Sequence, residues 1–203
     1  MSRGRIMGGR TFFTRLFFGE AAAARRKTAR ARRILSLPDR KLLAEAYLPA
    51  FAVEGGTILW VGCRAYTADD YAVLEEGGAR VWTTDIDPDA ARWGQASRHR
   101  TGDICQADSL FQDITFDAIV CNGVLGYGAD SVEQQTQALS AMAAILRPGG
   151  RLLLGWNTDK IEDPIAAGLA QPWFEPTPFA GQPARVSFDE VTHVYDSLVR
   201  TQA

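Results

Sequence analysis

The run Ile58-Leu59-Trp60-Val61, closed by Gly62, constrains the fold more than any other stretch. Four consecutive apolar side chains point alternately to the two faces of a strand, so both faces must be covered, as in a parallel sheet between helices. Thr67 and Asp70 fit a capping box that opens a helix with Tyr71, Val73 and Leu74 on its apolar face, and Gly77 and Gly78 stop it. A second strand over 79–84 ends at Asp85, about twenty residues past the glycine turn, where a carboxylate accepts from both hydroxyls of a ribose. Asp87 and Pro88 then read as the N-cap and first residue of a short helix over 89–96.

The remaining elements follow in alternation. A helix is expected over 36–51, capped by Ser36 and Asp39, with Leu42, Leu43, Ala46, Tyr47 and Ala50 facing the sheet. A polar third strand spans 98–101 and a fourth 116–121, ending at Asn122 and Gly123. Gly126 and Gly128 flank Tyr127 in what reads as a mobile loop. Leu139, Met142, Ala143 and Leu146 give a helix over 131–146, Pro148-Gly149-Gly150 a reversal, and 151–155 a fifth strand. Residues 164–183 hold five of the nine prolines and read as a rigid loop closing the core, or alternatively as a substrate cover. Alternation over 186–199 gives a terminal strand, with His193 as a structural strand residue.

This order, with FDAIVCNG at 116–123 and LRPGGRLLLGW at 146–156, resembles the class I S-adenosylmethionine-dependent methyltransferases over roughly residues 40–160. The resemblance implies an α/β, Rossmann-like fold with a mostly parallel central sheet and helices on both faces. It implies S-adenosylmethionine as cofactor, held by Gly62, Cys63, Arg64, Asp85, Ile86, Asp103, Asn122 and Gly123. Asp103, ahead of Asp108, takes the place of the acidic residue that meets the adenine amino group. Asn122 either orients a ligand or only caps its own turn. The family's glycine-rich first motif keeps only Gly62, since Arg64 and Tyr66 stand where further glycines are usual. Those two side chains either obstruct the cofactor, or Arg64 pairs with its carboxylate and Tyr66 lies against it.

Charge divides the chain. The first 41 residues carry twelve Lys and Arg against Glu20 and Asp39, whereas the rest carry ten basic and 22 acidic side chains. A basic N-terminal arm, 1–35, therefore precedes a domain over 36–203. Within it, Phe12, Phe13, Leu16 and Phe17 alternate with arginines, so residues 3–33 suit an anionic membrane surface, a transit peptide, or a solvated tail. Nucleic acid is disfavoured as a partner, since one basic tail is a weak signal. Cys63, Cys105 and Cys121 lack paired spacing and histidines number only two, which argues for reduced thiols in the cytoplasm and against a disulfide framework or metal site.

The expected activity is methyl transfer to a small molecule or to a glycan or lipid-linked acceptor, and no residue is singled out as a catalytic base. Two other readings compete. One is a degenerate methyltransferase-like interaction module, favoured by Arg64 and Tyr66. The other is a sugar-nucleotide glycosyltransferase using Asp85 and Asp87 as a D-x-D metal pair. A dehydrogenase is disfavoured because G-x-G-x-x-G is absent at Gly62.

Overall fold

A computed structural model describes residues 33–202, and the chain divides into two compact units, Met1–Leu37 and Pro38–Ala203. The expected basic arm, including the membrane-facing stretch 3–33, lies almost wholly outside the described residues. The Ser36 hydroxyl donates to the Arg33 carbonyl (2.8 Å) and does not form the expected cap.

The second unit is organised by a sheet of β1 (Thr57–Val61), β2 (Arg80–Asp85), β3 (His99–Thr101), β4 (Phe116–Asn122), β5 (Leu146–Asn157), β6 (Phe174–Pro176), β7 (Arg185–Ser187) and β8 (His193–Arg200). Their order is β3-β2-β1-β4-β5-β8-β6, with β7 also paired to β8. The first five strands run parallel. β8 runs antiparallel to β5, and β6 and β7 antiparallel to β8.

The helices are α1 (Pro38–Leu42), α2 (Leu48–Glu54), α3 (Ala68–Glu76), α4 (Ala107–Leu110) and α5 (Val132–Ile145). β1 shows why both faces are covered. Ile58 and Trp60 join Leu43, Tyr47, Phe51, Tyr71 and Leu74 in one apolar cluster. Leu59 and Val61 join Phe111, Leu139, Met142 and Ile145 in the other. This is the α/β, Rossmann-like architecture with helices on both faces that the sequence led one to expect.

Several local expectations are corrected. The helix expected over 36–51 runs without a break from Pro38 to Glu54, as α1, a π-helical turn at Leu43–Tyr47, and α2. Pro49 offers no N–H to the carbonyl four residues back and its ring crowds that carbonyl, so the backbone widens just before it. Thr67 precedes α3 but makes no side-chain cap, because its hydroxyl is spent on the Arg64 backbone, accepting from N–H (3.0 Å) and donating to the carbonyl (2.9 Å).

The RPGG segment is an excursion inside β5 rather than a reversal ahead of it. Phe116 pairs with Leu146 and Ala118 with Arg151, so Asp117 alone stands opposite residues 147–150. Its carboxylate accepts from Arg147 Nε and the Thr57 N–H, both at 2.7 Å, tying the excursion to the start of β1. In the proline-rich segment, β6 pairs along β8, and Phe179 packs against Phe51 with ring centroids 4.6 Å apart. That segment closes the core.

Candidate active site

Parallel strands leave their C-terminal ends open at one edge, and the switch from β1–β2 to β1–β4 makes a crevice there. Gly62 follows β1 at φ +89°, a conformation glycine adopts without strain. The backbone then turns the Cys63 N–H onto Asp85 Oδ2 at 2.7 Å, while Oδ1 of Asp85 accepts the Asp87 N–H at 2.9 Å. Asp85 is only 5% exposed, so these bonds hold a charge that burial would otherwise penalise.

Arg64 adds a third donor, its Nη1 lying 2.7 Å from the same Asp85 oxygen and 2.7 Å from the Cys63 carbonyl. The sequence left open whether Arg64 obstructs or assists. In this structure its guanidinium sits on the carboxylate marked for the ribose.

Two recesses flank this point and share Gly62, Arg64, Gly123 and Tyr127 as a common wall. The first, about 50 Å³, gathers Asp85, Ile86, Asp103 and Ile104. It is smaller than the roughly 300–1,000 Å³ of ordinary ligand sites. The Asp103 carboxylate also caps the next turn through the Cys105 N–H (2.9 Å), whereas Asp108 lies away from this recess. The Cys63 thiol is buried, and burial pushes its pKa up, so it lines the turn as an inert small side chain.

The second recess, about 280 Å³, gathers Arg40, Tyr66, Asn122, Asn157 and His193. Strand register explains it. Val120 and Leu153 belong to the same apolar cluster as Tyr195. Moving two residues along each strand on that face brings Asn122, Gly155 with Asn157, and His193 to the sheet edge. The core face thus turns polar where the strands end. Asn122 does not cap its own turn; its Nδ2 donates to the Tyr195 hydroxyl (3.1 Å). His193, expected to be structural, is a buried strand residue that also lines this recess.

Tyr127, 54% exposed, reaches over both recesses. Its segment, expected to be mobile, is a hydrogen-bonded turn, with Gly126 N–H on the Ala129 carbonyl (3.0 Å) and Tyr127 N–H on the Val124 carbonyl (3.0 Å). Asn157 stands at the sheet edge expected from the end of the fifth strand; Arg40 and His193 are lining residues that the sequence did not point to. For His193 the available signal was a polar residue two positions from an apolar one on β8; Arg40 comes from α1 and carries no such signal.

Among the described residues no cluster of His, Cys, Asp or Glu could hold a metal ion, and no helix is long and apolar enough to cross a membrane. Asp85 takes backbone N–H donors and Arg64, and Asp87 caps the Asp89 N–H (2.9 Å). Both carboxylates are committed to donors, which disfavours the D-x-D reading.

An acid at the end of β2, a positive-φ glycine after β1 and a crevice at the strand switch define an α/β domain for an adenosine-type cofactor. A family model described as a methyltransferase domain matches residues 59–154. The ubiquinone/menaquinone biosynthesis C-methyltransferase UbiE of Bordetella avium (strain 197N) is 29% identical over 124 residues, covering 57% of this chain and 44% of that protein. The chain thus spans under half the length of that curated relative.

Solved structures share the fold. The N-methyltransferase NodS of Bradyrhizobium japonicum WM9 aligns with a TM-score of 0.55 at 18% identity, over 87% of this chain and 97% of that one. The 1,6-didemethyltoxoflavin-N1-methyltransferase of Burkholderia thailandensis, with bound 1,6-didemethyltoxoflavin and S-adenosylhomocysteine, aligns with a TM-score of 0.57 at 16% identity, over 98% and 94%. Residues 59–154 therefore match a methyltransferase domain, and the fold is that of the class I S-adenosylmethionine-dependent methyltransferases.

Proposed function

We propose that the chain binds S-adenosylmethionine in the first recess and transfers its methyl group to a small molecule held in the second. The carrying observation is Asp85, buried at the end of β2 with its carboxylate fixed by the Cys63 and Asp87 amides. Such a group presents a prealigned acceptor to two ribose hydroxyls. Ile86, 59% exposed, offers an apolar wall beside it, and Asp103 stands across the recess for the adenine amino group. Gly62 and Gly123 at the shared wall let a ligand come close to the backbone.

The bound cofactor supplies an already activated methyl carbon, so the protein has mainly to align the acceptor with it. Tyr127, over both recesses, is placed to exclude water from the junction. Arg64 has to leave Asp85 for the ribose to enter, and the freed guanidinium is then available to the cofactor's carboxylate. This reading favours a working cofactor site over the degenerate module.

The test is thermal unfolding with S-adenosylhomocysteine. The wild-type chain should gain stability with ligand concentration, since a ligand that binds only the folded state shifts the equilibrium by mass action. Asp85→Ala should gain much less. Equal shifts in the two proteins would remove Asp85 from the site.

A further inference from the structure

We infer that the second recess admits the methyl acceptor as a neutral amine, its two N–H groups taken by His193 Nε2 and Asn122 Oδ1. This rests on the methyltransferase reading above and names the acceptor class.

Asp159 can only accept when ionised, so the Thr192 hydroxyl, 2.6 Å from its Oδ1, must donate. The Thr192 oxygen then has only lone pairs left, so the contact at 3.0 Å comes from Asn157 Nδ2. That fixes the Asn157 amide and turns its Oδ1 toward His193 Nδ1 at 3.3 Å. Nδ1 therefore carries the ring proton, and Nε2 is left with a lone pair. Burial, and then the Arg40 charge, push the His193 pKa down to about 3, so the ring stays neutral.

Nε2 of His193 and Oδ1 of Asn122 are both buried and have no hydrogen-bond partner. They lean over one point, because a Cβ on Gly155 would lie 2.8 Å from the first and 2.4 Å from the second. Gly155, lacking a Cβ, is what lets the two atoms stand this close to the backbone and to each other at the recess wall. Two unpaired acceptors call for a ligand that brings two donors, and each bond forgone is worth about 1–3 kcal/mol.

A neutral amine has two N–H donors and one lone pair, whereas a hydroxyl has a single donor. An ammonium has no lone pair for the methyl carbon, and the Arg40 guanidinium, whose charge is felt at His193, disfavours a cation in a recess with no carboxylate on its lining. The same guanidinium suits an anionic group elsewhere on the acceptor. In the transfer, the amine lone pair forms the N–C bond while the electrons of the C–S bond stay with sulfur. Positive charge passes from sulfur to nitrogen, and the methylated ammonium then loses one proton to solvent.

The test uses the full chain with isotope-labelled histidine and nitrogen NMR. The probe is para-aminobenzoate, an amine that is neutral near pH 7 and carries a carboxylate; para-dimethylaminobenzoate, which lacks N–H donors, is the control. The free protein should show a protonated Nδ1 and a bare Nε2. The amine should shift the Nε2 resonance of His193 and bind at least about 30-fold more tightly than the control, the worth of two such hydrogen bonds. His193→Phe, which keeps a ring against Tyr195, should cut that preference to the share of the Asn122 bond while leaving S-adenosylhomocysteine binding intact.

Equal binding of the two benzoates, no binding of the amine, or a protonated Nε2 would overturn the inference. Loss of S-adenosylhomocysteine binding by the wild-type chain would instead strike the methyltransferase reading.

Discussion

Arg64 Nη1 stands 2.7 Å from Asp85 Oδ2, a cation resting on the buried carboxylate proposed for the cofactor's ribose. The Arg64 side chain is about half exposed, so the pair is screened and contributes modestly to folding. Its larger effect falls on ligand entry, since the contact has to open first. Arg64→Ala should tighten S-adenosylhomocysteine binding by a few-fold to about ten-fold, equivalent to at most about 1.4 kcal/mol. Calorimetry of the variant checks this, and weaker binding would mean that the freed guanidinium does more for the bound cofactor than against its entry.

Asp85→Ala should lower cofactor affinity by at least about 100-fold, because two hydrogen bonds to a charged acceptor are each worth about 1.5–3 kcal/mol. It also orphans the buried Cys63 N–H, so unfolding stability should fall by about 1–3 kcal/mol. Asp85→Asn keeps an acceptor oxygen and should fall between. Urea unfolding separates the stability loss from the binding loss.

Asp196 is buried and accepts from Trp156 Nε1 (2.8 Å) and Arg185 Nε (2.7 Å). Trp156 lies near the end of β5, Asp196 on β8, and Arg185 opens β7. Removing the carboxylate leaves the buried indole N–H unpaired, while Arg185, partly exposed, keeps both of its contacts to Asp163. Asp196→Ala should cost about 1–3 kcal/mol in chemical denaturation, by the rule for orphaning a buried donor. A change under about 0.5 kcal/mol would show that the indole finds another partner.

His193 sets a pH dependence. Its folded pKa is pushed from 6.5 to about 3, so the unfolded chain takes up the proton first. Stability should therefore fall as pH drops below 6.5, at up to about 1.4 kcal/mol per unit. Asp70, pushed by burial to about 6, works the other way and gains stability as pH falls from 6 towards 3.8. The difference between wild type and His193→Phe isolates the histidine. The variant should lose less stability than wild type between about pH 7 and about pH 5, measured by thermal unfolding.

What the sequence made legible was local. Four apolar residues at 58–61, the glycine behind them, the acid at 85 and the Asp87–Pro88 cap each act within a few residues of themselves. Their places in the structure follow from that. What stayed hidden depends on distant partners. β6 and β7 are three residues each and gain strand character only along the edge of β8. RPGG looked like a stop because its excursion is held by Asp117 on another strand. Asn157 and His193 are far apart in sequence and meet only through the β5–β8 register. Thr67 misled because a capping pattern does not reveal that its hydroxyl has a closer partner in the Arg64 backbone.

The most direct measurement is isothermal titration of the full chain with S-adenosylhomocysteine, run beside Asp85→Ala. The account predicts one site per chain in the wild type and affinity reduced at least about 100-fold in the variant. No heat of binding from a wild-type protein shown to be folded, or equal affinity in the two, would contradict it.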